Sequence, residues 1–190
     1  GGQINSDGRR GFSGAEGLGY REKKVDGLTD KDLIGVPWRL AFELQKRGWI
    51  LRSDIIWAKL NPMPESCRDR PTMSHEHIFL FAKNQRYYYD HESIMERTVG
   101  VEYPKRNKRD VWNIKVASYP EAHCATFPME LITPCIKAGS PEGGLVLDPF
   151  MGSGTVAQAA KQLSRKYTGC ELNPDYYKII NNRLKQQELF

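Results

Sequence analysis

The segment from Leu145 to Glu171 constrains the fold more than any other part of this 190-residue chain. Leu145-Val-Leu-Asp148 is an apolar run of strand length and reads as a short buried strand. Pro149 to Gly154 is a glycine turn, Thr155 to Leu163 a helix, and Tyr167 to Glu171 a second strand ending in an acid. A strand, a tight turn and a helix leading to a parallel strand form a crossover unit. Such a unit presents backbone N–H groups and a helix N-terminus to a ligand. An acid at the end of the second strand accepts two hydrogen bonds from a ribose.

Three ligands compete for this turn. A nucleoside triphosphate in a Walker loop needs Gly-Lys-Ser/Thr, but Gly154 is followed directly by Thr155. A dinucleotide remains open, because Gly152-Ser-Gly154-Thr-Val-Ala157 satisfies the relaxed GxGxxA pattern and Glu171 follows at suitable spacing. Asp148, where the first strand feeds the turn, weighs against it, since a carboxylate there repels a pyrophosphate. It suits a ligand with an ammonium group, a positive sulfonium and no phosphate. S-adenosylmethionine has those properties.

The rest of the chain is less regular. Residues 1–27 are glycine-rich with little apolar pattern and read as a loop. Pro37 fits the first turn of a helix that Gly48 ends. Trp49 to Trp57 and His77 to Lys83 read as strands, the second continuing through Tyr87-Tyr88-Tyr89 after a turn. Residues 91–97 suggest a short helix, and 98–123 are polar, basic and irregular. Pro128 to Ala138 reads as a helix that Pro134 kinks, and Pro174 to Lys185 as a closing helix. Trp38, Trp49 and Trp57 are expected in the core; Trp112, beside basic residues, has two open roles, core anchor or base-stacking platform.

The net charge of +5 comes from 28 basic and 23 acidic side chains, and the whole excess lies in the first 120 residues. The densest basic cluster is Lys105, Arg106, Lys108 and Arg109, with Lys59, Arg68 and Arg70 upstream. These seven are the candidate contacts to a polyanion. Cys67, Cys124, Cys135 and Cys170 form no CxxC pair, so reduced thiols are expected rather than a zinc knuckle or disulfide framework. His75 and His77 share a strand face, but no further ligand stands nearby in sequence, and no metal is expected. No apolar run reaches the length of a membrane span.

Asp148-Pro-Phe-Met-Gly-Ser-Gly-Thr155 closely resembles the cofactor motif of amino-methylating DNA methyltransferases. Tyr167-Thr-Gly-Cys-Glu-Leu-Asn-Pro-Asp-Tyr-Tyr177 resembles the strand-and-acid motif that follows it, and His123-Cys-Ala-Thr-Phe-Pro-Met-Glu-Leu131 the helix that precedes it. Asp54-Ile-Ile-Trp-Ala-Lys59, Asn61-Pro-Met-Pro64 and His75-Glu-His-Ile-Phe-Leu-Phe81 extend the resemblance over residues 33–184. It implies an α/β, Rossmann-like methyltransferase fold with a mixed doubly wound sheet, in the permuted order that places the cofactor motif last. It implies methyl transfer from S-adenosylmethionine to the exocyclic amine of adenine (N6) or cytosine (N4) in double-stranded DNA. Asp148, Phe150, Gly152, Gly154 and Thr155 would cradle the methionine part, Glu171 the ribose, and Phe127 and Pro128 would close the site. The loop at 99–123 would help read the DNA sequence, and 124–190 would be the cofactor module.

The family's catalytic motif is Asp/Asn/Ser-Pro-Pro-aromatic, which accepts hydrogen bonds from the target amine and stacks on the flipped base. This chain has no Pro-Pro dipeptide. Asn173-Pro-Asp-Tyr176 reads instead as a helix start, and Asn61-Pro-Met-Pro64 lacks the aromatic. The chain is therefore expected to be the C-terminal part of a cytoplasmic bacterial or phage enzyme. Its sheet is expected to be incomplete, the chain alone is expected to be inactive, and its expected partner is a missing N-terminal half or a separate restriction nuclease. The alternatives are a dinucleotide-binding oxidoreductase fragment and a non-catalytic nucleic-acid-binding module.

Overall fold

The computed structural model describes residues 27–98, 100, 105–116 and 126–186, the last without its side chain. Most of the glycine-rich segment 1–30 lies outside the described residues. So do 99, 101–104 and 117–123 of the loop at 99–123, and the His123–Ala125 start of the preceding motif. Residues 1–36 and 37–190 form two compact units. In the first, the Thr29 backbone N–H and hydroxyl donate to the Asp32 carboxylate at 2.7 and 2.9 Å and hold that carboxyl below its ordinary range.

The elements run in the order α1 (Val36–Lys46), β1 (Ile50–Lys59), β2 (His75–Ala82), β3 (Glu96–Arg97), β4 (Lys105–Arg106), β5 (Val111–Ile114), α2 (Met129–Gly139), β6 (Leu145–Asp148), α3 (Thr155–Gln162), β7 (Lys166–Gly169) and α4 (Pro174–Gln186). Gly48 ends α1 at φ +88°, the left-handed conformation that a glycine adopts without a Cβ penalty. Its N–H reaches the Gln45 carbonyl at 3.0 Å, and the Trp49 N–H reaches that of Leu44 at 3.1 Å.

Strand β1 is the centre of a mixed three-stranded sheet ordered β2-β1-β5, antiparallel to β2 and parallel to β5. Strands β6 and β7 pair in parallel, and β3 and β4 form a short antiparallel ladder. Helix α2 joins two cores. Leu131 and Cys135, one turn apart, pack with Trp57, Trp112 and Ile114 of the large sheet. Ile132 and Ile136, on the adjacent stripe, pack with Val146, Val156, Ala159 and Ala160. Period-3.6 spacing thus lets one short helix serve both clusters.

Four local expectations are corrected. Residues 111–114 are a strand, with Trp112 and Ile114 pointing inward and alternating with exposed Val111 and Asn113. Trp112 is therefore a core residue, its Nε1 donating to the Arg109 carbonyl at 2.7 Å. Tyr87–Tyr89 forms no strand, the Tyr87 hydroxyl accepting instead from Arg52 Nε at 2.9 Å. Residues 92–94 make only one 3-10 turn, started by the Ser93 N–H donating to the Asp90 side chain and ended where Met95 turns extended and Glu96 enters β3. Finally, β6 is not buried. Leu145 and Leu147 are each 64% exposed, because α3 covers only the Val146 face. Parallel sheets are normally covered on both faces.

Candidate functional site

The glycine turn joins β6 to α3 and is tied to the end of β7 by the backbone. The Cys170 N–H donates to the Asp148 carbonyl at 3.0 Å, and the Met151 N–H to the Cys170 carbonyl at 2.9 Å. Asp148 Oδ1 accepts the Phe150 N–H at 3.1 Å, so this carboxylate caps the turn it precedes. Gly152 at φ +52° and Gly154 at φ +81° supply the left-handed residues that make the turn tight.

The two glycines are required for different reasons. A Cβ on Gly152 would meet only the Phe150 carbonyl, at 3.9 Å, so its bare backbone faces open space. A Cβ on Gly154 would stand 3.2 Å from Ile180 of α4, so this glycine also allows close helix packing. Gly154 ends the turn at the N-terminus of α3, where Thr155 is buried.

Glu171 closes the site from the β7 side. Its Oε2 accepts the Gly152 N–H at 2.6 Å and its Oε1 the Asn173 N–H at 2.8 Å. The Asn173 bond, with the Gly152 and Leu172 amides, holds the carboxyl below its ordinary range. The acid thus stays ionised at neutral pH, and each oxygen keeps lone-pair capacity for a further donor. Asp148 and Glu171 flank the turn with two negative groups. Phe150 and Leu172, at 88% and 98% exposure, add apolar surface at the same strand ends.

The other candidates fall in three places. Phe127 and Pro128 stand where α2 begins, Pro128 as its N-cap and Phe127 exposed. In the basic segment, Arg106 and Arg109 both donate to Glu96 Oε1, at 2.9 and 2.7 Å. Burial pushes that carboxyl up, but the two guanidinium groups outweigh it and hold it below the usual range. Lys108 lies over the Trp112 ring at 4.8 Å, and Lys105 is exposed on β4. Upstream, Lys59 pairs with Glu76, Arg70 with Glu65 at 2.7 Å, and Arg68 is exposed. A cavity of about 360 Å³ opens between Glu96, Lys108, Arg109, Trp112 and α2; none of its lining residues belongs to the glycine turn.

Both lookalike motifs hold backbone. Asn61 Oδ1 accepts the Val116 N–H at 2.7 Å, and Asn173 Oδ1 accepts the Asp175 N–H at 3.0 Å as α4 starts. Among the described residues, no group of three or more His, Cys, Asp or Glu could hold a metal ion. His77 instead pairs its Nδ1 with Asp54 at 2.9 Å beneath the Trp38 ring. Burial pushes the Cys135 thiol up to about 11.

Two further residues shape the turn, Gly169 within the strand-and-acid motif and Arg183 outside any motif. A Cβ on Gly169 would lie 2.8 Å from the Asp148 carbonyl and 2.9 Å from Met151 Sδ, so β7 must carry glycine to let the turn close over it. Arg183 of α4 reaches under the turn to Ser153. The sequence places it in a polar helix with no sign of that contact.

A crossover unit with acids flanking its glycine turn, beside a mixed sheet, defines a Rossmann-like methyltransferase fold. Its neighbours among solved structures agree. A crystal structure of M1.HpyAVI in complex with SAM superposes with a TM-score of 0.62 at 26% identity, covering 80% of this chain and 71% of that one. The PvuII DNA methyltransferase (cytosine-N4-specific) has a TM-score of 0.66 at 20% identity, covering 77% and 56%, a likeness of fold. The N6/N4 DNA methylase family model matches residues 7–182, and the chain belongs to that family. Similar curated relatives are the Type II methyltransferases M.Cfr9I of Citrobacter freundii, 51% identical over 174 residues, and M.SmaI of Serratia marcescens, 52% identical over 167. They align to 92% and 88% of this chain, and the chain spans 57% of the length of each.

Proposed function

We propose that this chain is the cofactor-binding part of a Type II DNA methyltransferase that moves a methyl group from S-adenosylmethionine to adenine N6 or cytosine N4 in double-stranded DNA. The observation that carries this reading is the pair of acidic side chains around the glycine turn. Asp148, where β6 feeds the turn, disfavours a pyrophosphate and suits an ammonium group, and Glu171 keeps acceptor capacity for two ribose hydroxyls. The open backbone at Gly152, where a Cβ would otherwise stand, fits close approach of the methionine part. Phe150 and Leu172 would cover the ligand's apolar surface, and Phe127 and Pro128 its approach from α2. When bound, S-adenosylmethionine supplies an electrophilic methyl on a positive sulfur. This chain's residues bind and orient it and exclude water.

Lys59, Arg68, Arg70, Lys105, Arg106, Lys108 and Arg109 form the proposed phosphate-contacting set. The loop at 99–123 is the proposed sequence-reading segment. The amine-binding Pro-Pro-aromatic motif would come from polypeptide outside these 190 residues, and that polypeptide would also cover Leu145 and Leu147. The proposed setting is a bacterial cytoplasm, with a separate restriction nuclease as the proposed partner.

The test is reconstitution. The chain is mixed with, or fused to, a segment carrying the Pro-Pro-aromatic motif and supplied with labelled S-adenosylmethionine and DNA. Methyl transfer to DNA by the pair, with none by this chain alone, is the expected outcome. Transfer by the chain alone would refute the division of labour.

A further inference from the structure

We infer that Arg183 is a positioning residue for the cofactor turn, clamping it from α4; this rests on reading the turn as the S-adenosylmethionine site. Ser153 lies between Gly152 and Gly154, both at positive φ. A serine between two glycines sits in the most freely moving backbone a chain can have. Yet Ser153 is 3% exposed and Thr155 5% exposed. Buried polar groups need partners, and Arg183 supplies them. Its Nη1 donates its two hydrogens to the Ser153 carbonyl at 3.0 Å and Ser153 Oγ at 2.9 Å, with Thr155 Oγ1 at 3.3 Å sharing one of them. Its Nη2 donates to Gln158 Oε1 at 2.7 Å, one turn further along α3.

One planar guanidinium therefore joins the middle of the turn, the first residue of α3 and the next turn of that helix. A lysine has a single nitrogen and cannot span these acceptors. Ile180, three residues earlier on α4, faces Gly154 and fixes the depth at which the turn rests. The Ser153 hydroxyl and carbonyl both face α4, so Ser153 serves the turn's shape rather than the ligand. Gly152, next to Ser153, is held instead by Glu171, which accepts its N–H at 2.6 Å. The turn is thus pinned between an acid of one element and a base of another.

The test compares the full chain with its Arg183→Ala, Arg183→Lys and Ser153→Ala variants. Hydrogen exchange is read on peptides covering 149–156 and 50–59, and S-adenosylhomocysteine affinity by calorimetry. Arg183→Ala is expected to speed exchange at 149–156 about tenfold or more, leave 50–59 unchanged, and weaken ligand binding to a similar degree. Added methylguanidinium should restore part of that binding. Arg183→Lys should recover only a fraction, and adding Ser153→Ala to Arg183→Ala should cost little more. Unchanged exchange at 149–156 in Arg183→Ala overturns the clamp. If that variant also loosens 50–59, Ser153→Ala decides, since it deletes one acceptor and no core contact: faster turn exchange supports the clamp, and unchanged exchange refutes it. Should the unsubstituted chain bind no S-adenosylhomocysteine, the cofactor reading fails, while the exchange data still decide the clamp.

Discussion

Glu171 accepts the Gly152 N–H at 2.6 Å across 19 residues of sequence, joining the acid at the end of β7 to the turn at the end of β6. The same carboxylate accepts the Asn173 N–H, so it organises the turn as well as the start of α4. Glu171→Gln keeps the size but leaves one acceptor oxygen for the Gly152 and Asn173 N–H groups, so one charge-assisted bond becomes a weaker neutral one and the other is lost against the amide NH2. S-adenosylhomocysteine affinity should drop by roughly tenfold or more. Calorimetry on the two proteins checks it.

The pH dependence follows from the direction of the shift. The Glu171 carboxyl is lowered from its ordinary value of 4.5 in the folded chain. Its contribution to stability is therefore fully present above that value and is lost as pH falls through the lower folded value. The stability difference between the native chain and Glu171→Gln should be flat from pH 8 to about 5 and shrink below that. Urea midpoints across that range measure it. A difference that grows on acidification would reverse the sign.

The three glycines of the site should separate by cause. Gly152→Ala meets no neighbour closer than 3.9 Å and should cost only the left-handed backbone penalty, about 1–2 kcal/mol. Gly169→Ala has ordinary backbone but collides with the Asp148 carbonyl, and should cost about 1–3 kcal/mol through displacement of the turn. Gly154→Ala combines strain with crowding by Ile180 and should be the least stable of the three. Denaturation midpoints give the order.

Glu96 restrains the basic segment by holding both Arg106 and Arg109. Glu96→Gln removes a negative charge and loosens two guanidinium groups. It should tighten binding to mixed-sequence DNA and steepen its salt dependence by about one to two units of slope. Lys105→Ala, on the exposed β4, should flatten the slope by about one. Affinities at several salt concentrations test both. Trp112→Ala should instead lower stability by about 3–5 kcal/mol, as a core truncation does.

The strand-turn-helix-strand unit was legible in the sequence because its signals are local. Asp148, the glycines, Thr155 and Glu171 sit within one strand-turn-helix-strand run, where residue type dictates backbone conformation. β5 was not legible, because four residues with only two inward side chains, Trp112 and Ile114, carry too short an alternation beside a basic cluster. Its strand character comes from pairing with β1, more than fifty residues away. Arg183 was hidden for the same reason, since its partner Ser153 is thirty residues upstream. Leu145 and Leu147 read as buried because apolar strands usually are; their exposure depends on what covers β6, which no local pattern encodes.

The proposed selectivity of the turn between Asp148 and Glu171 is for a phosphate-free nucleoside carrying an amino-acid group over a phosphate-bearing one. Competition calorimetry of the chain with S-adenosylhomocysteine, NAD and ATP tests it most directly. Saturable one-to-one binding of S-adenosylhomocysteine, undisturbed by excess NAD or ATP and lost in Glu171→Gln, is the predicted result. Binding of NAD or ATP at this turn, with S-adenosylhomocysteine excluded, would contradict it.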